Sequence, residues 1–420
     1  MIIGLDDTDS KEGMCTTYIA AVLIERLQKY GSVESPLLVR LNPNIRYKTR
    51  GNAALALPLE MNSNEDAVRV KELVIETVNN MAVFSDENTN PGVVFIEGTS
   101  EKMQDELARF SLRAVQDVLE INEAKELLAR YDISHKGFKN ERGLIGALAA
   151  AGFALCGLPD HTYELIAYRE KNRWGTPRVI NEDSVWAAST TPDTWDTVDR
   201  DNRRIVFAPH SPDPILFGIR GKSENAVKNA FSLVKSEPVE RHVIYMTNQN
   251  TDMHLIHAKI CEVMDERSYI IEGRVSKTPR TIKGGHVIFE MTDDHSLECA
   301  AFEPTKGFRK IITQLHIGDE ITACGSVRGG TMNLEKIKVK ELNLHEARNP
   351  LCCGKRMKSM GREQGYRCEK CGATKREQVM ETLHRDLAPG FYEVPPSARR
   401  HLAKPLFRFQ MPVEASAYAD

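Results

Sequence analysis

The chain has 420 residues, 41% of them hydrophobic and 27% charged, with a net charge of −3. It is too long for one ordinary core and too ordinary in composition for a disordered or collagen-like chain, so two to four globular domains are expected. No signal-peptide pattern precedes Ile2, and no apolar run approaches the roughly 18 residues of a membrane span, so the expected setting is cytoplasmic with no membrane partner. Nine cysteines, some clustered near the C-terminus, fit a metal site in a reducing cytosol better than a disulfide framework. The whole chain is not basic, but residues 345–410 hold 14 Lys/Arg against 7 Asp/Glu, a local +7. Nucleic-acid contact is therefore expected from that end.

At the N-terminus the apolar run Ile2 to Leu5 reads as a buried strand that delivers Asp6, Asp7 and Asp9 at its carboxyl end. Three carboxylates this close repel one another unless a cation sits among them, and Mg²⁺ shared with a substrate phosphate is the natural choice. Gly13 permits a tight turn, and Ile19, Leu23, Leu27 and Tyr30 then mark one face of a helix. Thr16 and Thr17 fall in its first turn, where free N–H groups and the helix dipole favour an anion. An acidic turn followed by a Thr cap has the same pattern, so the cluster alone does not decide. Leu37–Leu41 and Ala53–Leu59 read as strands. Between them Arg40, Arg46, Lys48 and Arg50, with Gly51, form a cationic loop suited to clamping phosphates. A solvated surface loop would look alike.

Val93–Ile96 reads as a further strand, and Met103, Leu107, Phe110, Ala114 and Val118 give helical spacing over 101–119. A second unit opens near Arg142-Gly143-Leu-Ile-Gly146, a Gly-punctuated helix start that could face a nucleotide. It continues through strand-like Glu164–Tyr168, Ile205–Ala208 and Ile215–Ile219. Periods of two and of 3.6 are mixed without strict βαβ alternation, so α+β layers are expected rather than a doubly wound sheet. Asp160, His161, Tyr163, Glu164, His210 and Asp213 are polar residues beside these strands.

Five strand candidates follow: Tyr269–Val275, His286–Met291, Leu297–Phe302, Glu320–Val327 and Met332–Val339, with a helix at Gly307–Leu315 between the third and fourth. That is the order of an OB-fold barrel, which commonly binds oligonucleotides. Cys368-x-x-Cys371 is half of a zinc ribbon. Its other half is irregular, because Cys352 and Cys353 are adjacent. Either both ligate from a strained backbone or His345 replaces one of them. Beyond the ribbon, Phe391, Tyr392, Arg399, Arg400, His401, Lys404, Phe407 and Arg408 interleave aromatic and basic groups, a pattern suited to bases and phosphates.

Several long segments in register resemble the archaeal tRNA(Ile2) 2-agmatinylcytidine synthetases: Gly4 to Ser10, Gly13 to Tyr18, Arg40 to Pro43, Tyr47 to Asn52, Arg142 to Ala147, Tyr163 to Arg169, Trp174 to Pro177, Pro214 to Gly221 and Thr247 to Gln249. The resemblance spans nearly the whole chain. It implies a multidomain α+β protein: a kinase-like domain over 1–125, a ferredoxin-like domain over 126–250, an OB-fold over 260–345, a zinc ribbon over 346–385 and a basic segment over 386–420. It further implies an ATP-dependent ligase that joins agmatine to C2 of the wobble cytidine in a CAU anticodon. The C2 oxygen is phosphorylated first, and ATP ends as AMP and two phosphates.

On that resemblance Asp6, Asp7 and Asp9 are expected to hold Mg²⁺ and ATP, and Thr16 matches a position that becomes autophosphorylated. Lys48, Arg50, Gly51, Arg142 and Gly143 are expected around the nucleotide. Cys352, Cys353, Cys368 and Cys371 are expected on structural Zn²⁺, and Arg399, Arg400, Lys404 and Arg408 on the tRNA. Agmatine is a dication and needs carboxylates, for which Asp160, Glu164 and Asp213 are candidates. Two rivals remain in view: a metal-dependent RNA nuclease and a non-enzymatic RNA-binding factor built on the barrel and ribbon.

Overall fold

The computed structural model of the chain describes residues 1–48 and 51–410; Arg50 lies outside the described residues. The first stretch contains β1 (Ile2–Asp6), α1 (Thr16–Leu27), β2 (Gly31–Val33), β3 (Leu37–Arg40), β4 (Ala53–Met61), α2 (Ala67–Met81), β5 (Gly92–Ile96), α3 (Glu101–Gln116), α4 (Ile121–Arg130), β6 (Ser134–Gly137) and α5 (Gly143–Cys156). The second contains β7 (Thr162–Arg169), α6 (Glu182–Ala188), β8 (Thr194–Trp195), β9 (Val198–Asp199), β10 (Arg204–Ile205), β11 (Ile215–Gly221), α7 (Glu224–Leu233) and β12 (Val239–Thr247). Both stretches feed one sheet, in the order β6-β5-β1-β4-β3-β12-β7-β11-β8, with β2 on β4. Its pairs are antiparallel apart from β3 with β12, where Leu37 faces Met246 and Leu38 faces Thr247. The two expected N-terminal units are thus joined edge to edge. The strand expected at Ile205–Ala208 spans only Arg204–Ile205. Beyond it the Val206 N–H still donates to the Thr197 carbonyl and the Phe207 carbonyl accepts from the Gly218 N–H, outside a regular ladder.

Strand alternation sorts the core onto two faces. Ile3, Leu5, Leu55, Leu57, Val93 and Phe95 pack with Ile19, Leu23 and Leu27 of α1. Ala54, Ala56, Val94 and Ile96 pack with Leu144, Ala147, Leu148 and Ala151 of α5. The α5 side is built from small residues because the helix lies almost on the strands. A Cβ on Gly4 would overlap the Ala147 carbonyl oxygen, and one on Gly143 would lie 2.5 Å from Gly92 N. Only glycine permits that approach. α5 thus opens the second expected unit in sequence but packs across the strands of the first.

β13 (Leu255–His257) leads into β14 (Ser268–Thr281), β15 (Val287–Thr292), β16 (Ser296–Ala301), α8 (Gly307–Ile312), β17 (Glu320–Arg328) and β18 (Thr331–Glu341). Pairings β14–β15, β15–β16, β16–β18, β18–β17 and β17–β14 close a five-stranded barrel. It encloses Ile271, Phe289, Met291, Ile321, Ala323 and Ile337. A small ribbon follows: β19 (His345–Arg348), β20 (Leu351–Cys352), β21 (Lys355–Arg356), β22 (Lys358–Ser359), β23 (Tyr366–Arg367), β24 (Thr374–Lys375) and β25 (Val379–Thr382). β26 (Gly390–Glu393) then adds an edge strand to β18 of the barrel. From there the chain returns to the N-terminal sheet, where Leu402 joins the core beneath α5.

Candidate active site and zinc centre

The end of β1 and the start of α1 form one wall of a cavity of about 360 Å³. Asp6, Asp7, Asp9, Cys15, Thr16 and Thr17 line it. Asp7 adopts φ +59, a left-handed turn that Asp tolerates better than most residues. Its N–H donates to Asp6 Oδ1 at 2.7 Å, and its own carboxylate accepts the Asn90 N–H at 3.1 Å. Asp6 is packed against α5, where a Cβ on Gly146 would overlap its Oδ2. The Gly143–Gly146 pair therefore serves close packing behind Asp6, and Gly143 also borders the cavity.

Burial and the neighbouring charge of Asp7 push Asp6 well above the ordinary carboxylate range. Burial and the charge of Asp9 push Asp7 up to about 7. Carboxylates crowded in this way suit a hard divalent cation, whose charge reverses both effects. The three do not converge on one point: among the described residues the cysteines of the ribbon are the one such group of three or more. Asp7 commits one oxygen to the Asn90 N–H, and a cation here would draw further oxygens from a phosphate.

Thr16 begins α1 behind Cys15, whose side chain makes no cap hydrogen bond. First-turn N–H groups at such a helix start lack intrahelical partners. Thr16 Oγ1 accepts from Thr8 Oγ1 at 3.1 Å. Opposite stand Arg40, Tyr47, Lys48, Gly51 and Arg142, with the Arg142 guanidinium 4.6 Å from the Tyr47 ring centre. Arg40 is held 3.7 Å from Glu164, which also meets Arg220 at 3.3 Å and accepts from Gln249.

Of the three carboxylates considered for agmatine, only Asp213 lines the cavity. It is positioned by Arg178 at 3.1 Å, the Ile215 N–H at 3.0 Å and Ser211. Glu164 is committed to Arg40 and Arg220, and Asp160 lies elsewhere with Lys404 and Arg408, each at 3.0 Å. His401, from the far end of the chain, also faces the cavity. The basic–aromatic pattern of the C-terminal segment included it as a group for bases and phosphates, but not as a wall of this cavity.

In the ribbon, the sulfurs of Cys352, Cys353, Cys368 and Cys371 all lie within 4.8 Å of one another. Cys352 Sγ is 3.4 Å from Cys371 Sγ and 3.9 Å from Cys353 Sγ, close to the ~3.8 Å edge of a tetrahedral zinc–thiolate site. Adjacent cysteines reach one ion because Cys353 is left-handed, with φ +49. His345 is instead paired with Thr382 in the β19–β25 ladder. The four expected C-terminal cations are engaged within the protein. Arg399 pairs with Asp196 and with Glu393 at 2.9 Å, and Arg408 with Asp160. Lys404 holds Asp160, and Arg400 donates to Asn44 at 2.8 Å. Arg399 and Arg408 are buried, and only Arg400, at 32% side-chain exposure, keeps much free surface.

Carboxylates, cations and a helix start around one cavity are groups of the kind that phosphoryl-transfer sites use. Beside a closed barrel and a zinc ribbon, they place the chain among multidomain enzymes that modify RNA at the expense of a nucleotide. Residues 2–140 match the TiaS TCKD domain, 141–254 the TiaS FLD domain and 349–387 the TiaS C-terminal zinc ribbon domain. The chain is 54% identical over 420 residues to the tRNA(Ile2) 2-agmatinylcytidine synthetase TiaS of Methanosarcina mazei, with 97% of each chain covered. It is 46% identical over 418 residues to that of Archaeoglobus fulgidus, again with 97% of each covered. Among solved structures, the TiaS–tRNA(Ile2)–ATP complex superposes with a TM-score of 0.86 at 46% identity, covering 99% of this chain and 98% of that one. The TiaS–tRNA(Ile2)–AMPCPP–agmatine complex gives 0.84 at 43%, covering 99% and 98%. The chain belongs to the TiaS family.

Proposed function

We propose that the chain is an ATP-dependent tRNA(Ile2) 2-agmatinylcytidine synthetase. The observation that carries this is the single cavity in which Asp6, Asp7, Asp9 and Thr16 face Lys48, Gly51 and Arg142. The C2 oxygen of cytosine is a poor leaving group until it is phosphorylated, and agmatine then displaces the phosphate. A phosphoryl group in transfer needs positioning and charge neutralisation more than covalent help. Lys48, Arg50 and Arg142 supply positive charge to phosphate oxygens, and the start of α1 at Thr16 supplies N–H donors. Carboxylates from among Asp6, Asp7 and Asp9 would share Mg²⁺ with phosphate oxygens, and the ion would supply neutralising charge to the polyphosphate. Asp213 takes one cationic end of agmatine. Residues 1–125 serve as the kinase-like part, 126–250 as the ferredoxin-like part, and the barrel acts as an OB-fold that, with the ribbon on its zinc, grips the tRNA body. Arg400 contacts RNA, while Arg399, Lys404 and Arg408 mainly anchor the segment that presents it.

The test is incorporation of labelled agmatine into unmodified CAU-anticodon isoleucine tRNA with ATP and Mg²⁺. Wild type incorporates and Asp7→Ala does not. Binding without incorporation would leave the RNA-binding factor, and RNA cleavage without ATP would leave the nuclease.

A further inference from the structure

A second cavity, of about 320 Å³, is lined by Pro43, Asn44 and Lys48 on one side and by Val327 and Arg328 of the barrel on the other. Arg40, Ile45, Lys48, Gly51, Asn52 and His401 belong to the walls of both cavities and so form the partition between them. On its far side the second cavity adds Arg328 at the end of β17, Asn333 of β18 and Arg400. Positive charge is in excess there. Its Glu266 is taken by Arg46, and Arg40 by Glu164. Arg328 is exposed and makes no ion pair among the described residues. Lys48 donates to the neutral Pro43 carbonyl. Burial, then the charges of Arg400 and Arg328, pull its ammonium below the ordinary lysine range. Arg400 lies 3.6 Å from Glu335, and Arg328 acts on the charge of Asp265. Lys48 adds a charge that no ion pair meets among the described residues, and such an excess attracts a polyanion.

His401 is fixed on this partition. Its carbonyl accepts the Asn250 N–H at 2.8 Å, and the next residue, Leu402, is held by the Asp252 N–H at 2.9 Å. Its Nδ1 lies 2.7 Å from Arg220 Nη2 and 3.1 Å from Gln249 Oε1. A guanidinium can only donate, and the shorter, charge-assisted bond prevails, so Nδ1 accepts and the ring proton sits on Nε2. Nε2 faces Gly51, where a Cβ would stand 3.5 Å away. A neutral ring with a fixed N–H donor therefore stands among Arg40, Lys48 and Arg220; the charge of Arg40, then burial, keeps it well below the ordinary imidazole range.

We propose that the partition is a phosphate seat, in which Lys48, Arg328 and the His401 Nε2–H hold the oxygens of one phosphate group. This rests on the reading of the chain as a tRNA-modifying ligase. The phosphate is either a phosphodiester of the RNA strand beside the target cytidine or part of the ATP chain. Arg328 and Arg400, on the barrel side and away from Asp6 and Asp7, point to the RNA strand.

The experiment uses the full chain with Arg328→Gln, His401→Phe and His401→Gln, measuring tRNA Kd against salt, KM for ATP and kcat for agmatine incorporation. Arg328→Gln is expected to weaken tRNA binding and to lower the log–log salt slope by about 0.7 to 0.9, one phosphate's worth. His401→Phe weakens tRNA binding, and His401→Gln, which returns an N–H donor, restores most of the loss. KM for ATP stays unchanged. A rise in KM for ATP with unchanged tRNA Kd keeps the seat but assigns it to ATP. Unchanged Kd, slope and KM in both Arg328→Gln and His401→Phe overturn it. A wild type that binds neither tRNA nor ATP overturns the reading beneath, and the seat with it.

Discussion

Gly146→Ala is a test of how the fold aims its carboxylates. A Cβ on Gly146 overlaps Asp6 Oδ2, lies 2.7 Å from Asp6 Cγ and 2.9 Å from Leu41 Cδ1. Ordinary carbon–carbon contact begins near ~3.5 Å, so the Asp6 carboxyl group must retreat by roughly 1 Å. It can, being the end of a side chain, but its Oδ1 accepts the Asp7 N–H. The retreat therefore disturbs the left-handed turn at Asp7 as well. Stability changes little: alanine in a helix gains up to about 1 kcal/mol over glycine, against roughly 1–3 kcal/mol for the added bulk. A displacement of 1 Å at a reacting site costs on the order of 100-fold in rate. The expected variant folds, binds tRNA as wild type does, and incorporates labelled agmatine with kcat lowered about 100-fold. Gly4→Ala is the contrast, because its Cβ overlaps the Ala147 carbonyl oxygen and the backbone of α5 cannot yield. It loses melting temperature instead. A Gly146→Ala variant with kcat and melting temperature both like wild type would refute the argument that α5 positions Asp6.

Cys353→Ser removes one of four sulfurs, and bound zinc measured by elemental analysis drops well below one per chain, whereas His345→Ala retains it. Glu237→Gln strands the Arg169 guanidinium, which is 1% exposed and 2.6 Å from Glu237; urea unfolding should show a loss of about 3–5 kcal/mol. Acid stability turns on Glu335. Burial pushes its carboxyl up, but the charge and hydrogen bond of His254 and the charges of Arg400 and Lys336 draw it down to about 2. A depressed folded-state value gives stability that is present above the ordinary pKa near 4.5 and lost as pH falls toward 2. The shift is worth about 3 kcal/mol. Acid unfolding of wild type and Glu335→Gln should converge across that window, and parallel curves would contradict the assignment.

Local signals were legible where one element makes its own argument. Four barrel strands and the start of α8 fall within two residues of their expected places, helped by turns that carry Gly or Asp. β14 instead runs six residues past its expected end at Val275, to Thr281. The carboxylates and Thr16 were legible because strand end and helix start are neighbours in sequence. α2 passed unread although Val70, Leu73, Val74 and Val78 are buried at helical spacing; α4, α7 and β12 were likewise not singled out. What sequence pattern does not encode is joining at a distance. The β3–β12 pairing merges two expected units across about two hundred residues, and the Gly143–Gly146 pair reads equally well as a nucleotide loop or as a packing face. The place of His401 beside Gly51 becomes visible only once the chain is folded.

The charge excess at residues 345–410 shows why a count of lysines and arginines overstates an RNA surface. Arg399 and Arg408, at 5% and 7% exposure, are spent on Asp196, Glu393 and Asp160. Lys336 of the barrel is buried on Asp252 at 2.6 Å and donates to the Lys404 carbonyl. Buried pairs of this kind add little net stability, since desolvation offsets attraction, but an unmatched member is costly, so they specify one arrangement over others. Here the arrangement they specify is the return of the chain from the barrel to the N-terminal sheet. That return sets Leu402 into the core under α5 and His401 at the partition beside Lys48. Arg328, exposed, stands with Arg400 in the wall of the second cavity, where that return and the barrel meet. The C-terminal segment thus acts chiefly by fixing the barrel beside the cavity of Asp6 and Asp7, and much of its own charge is taken up in doing so.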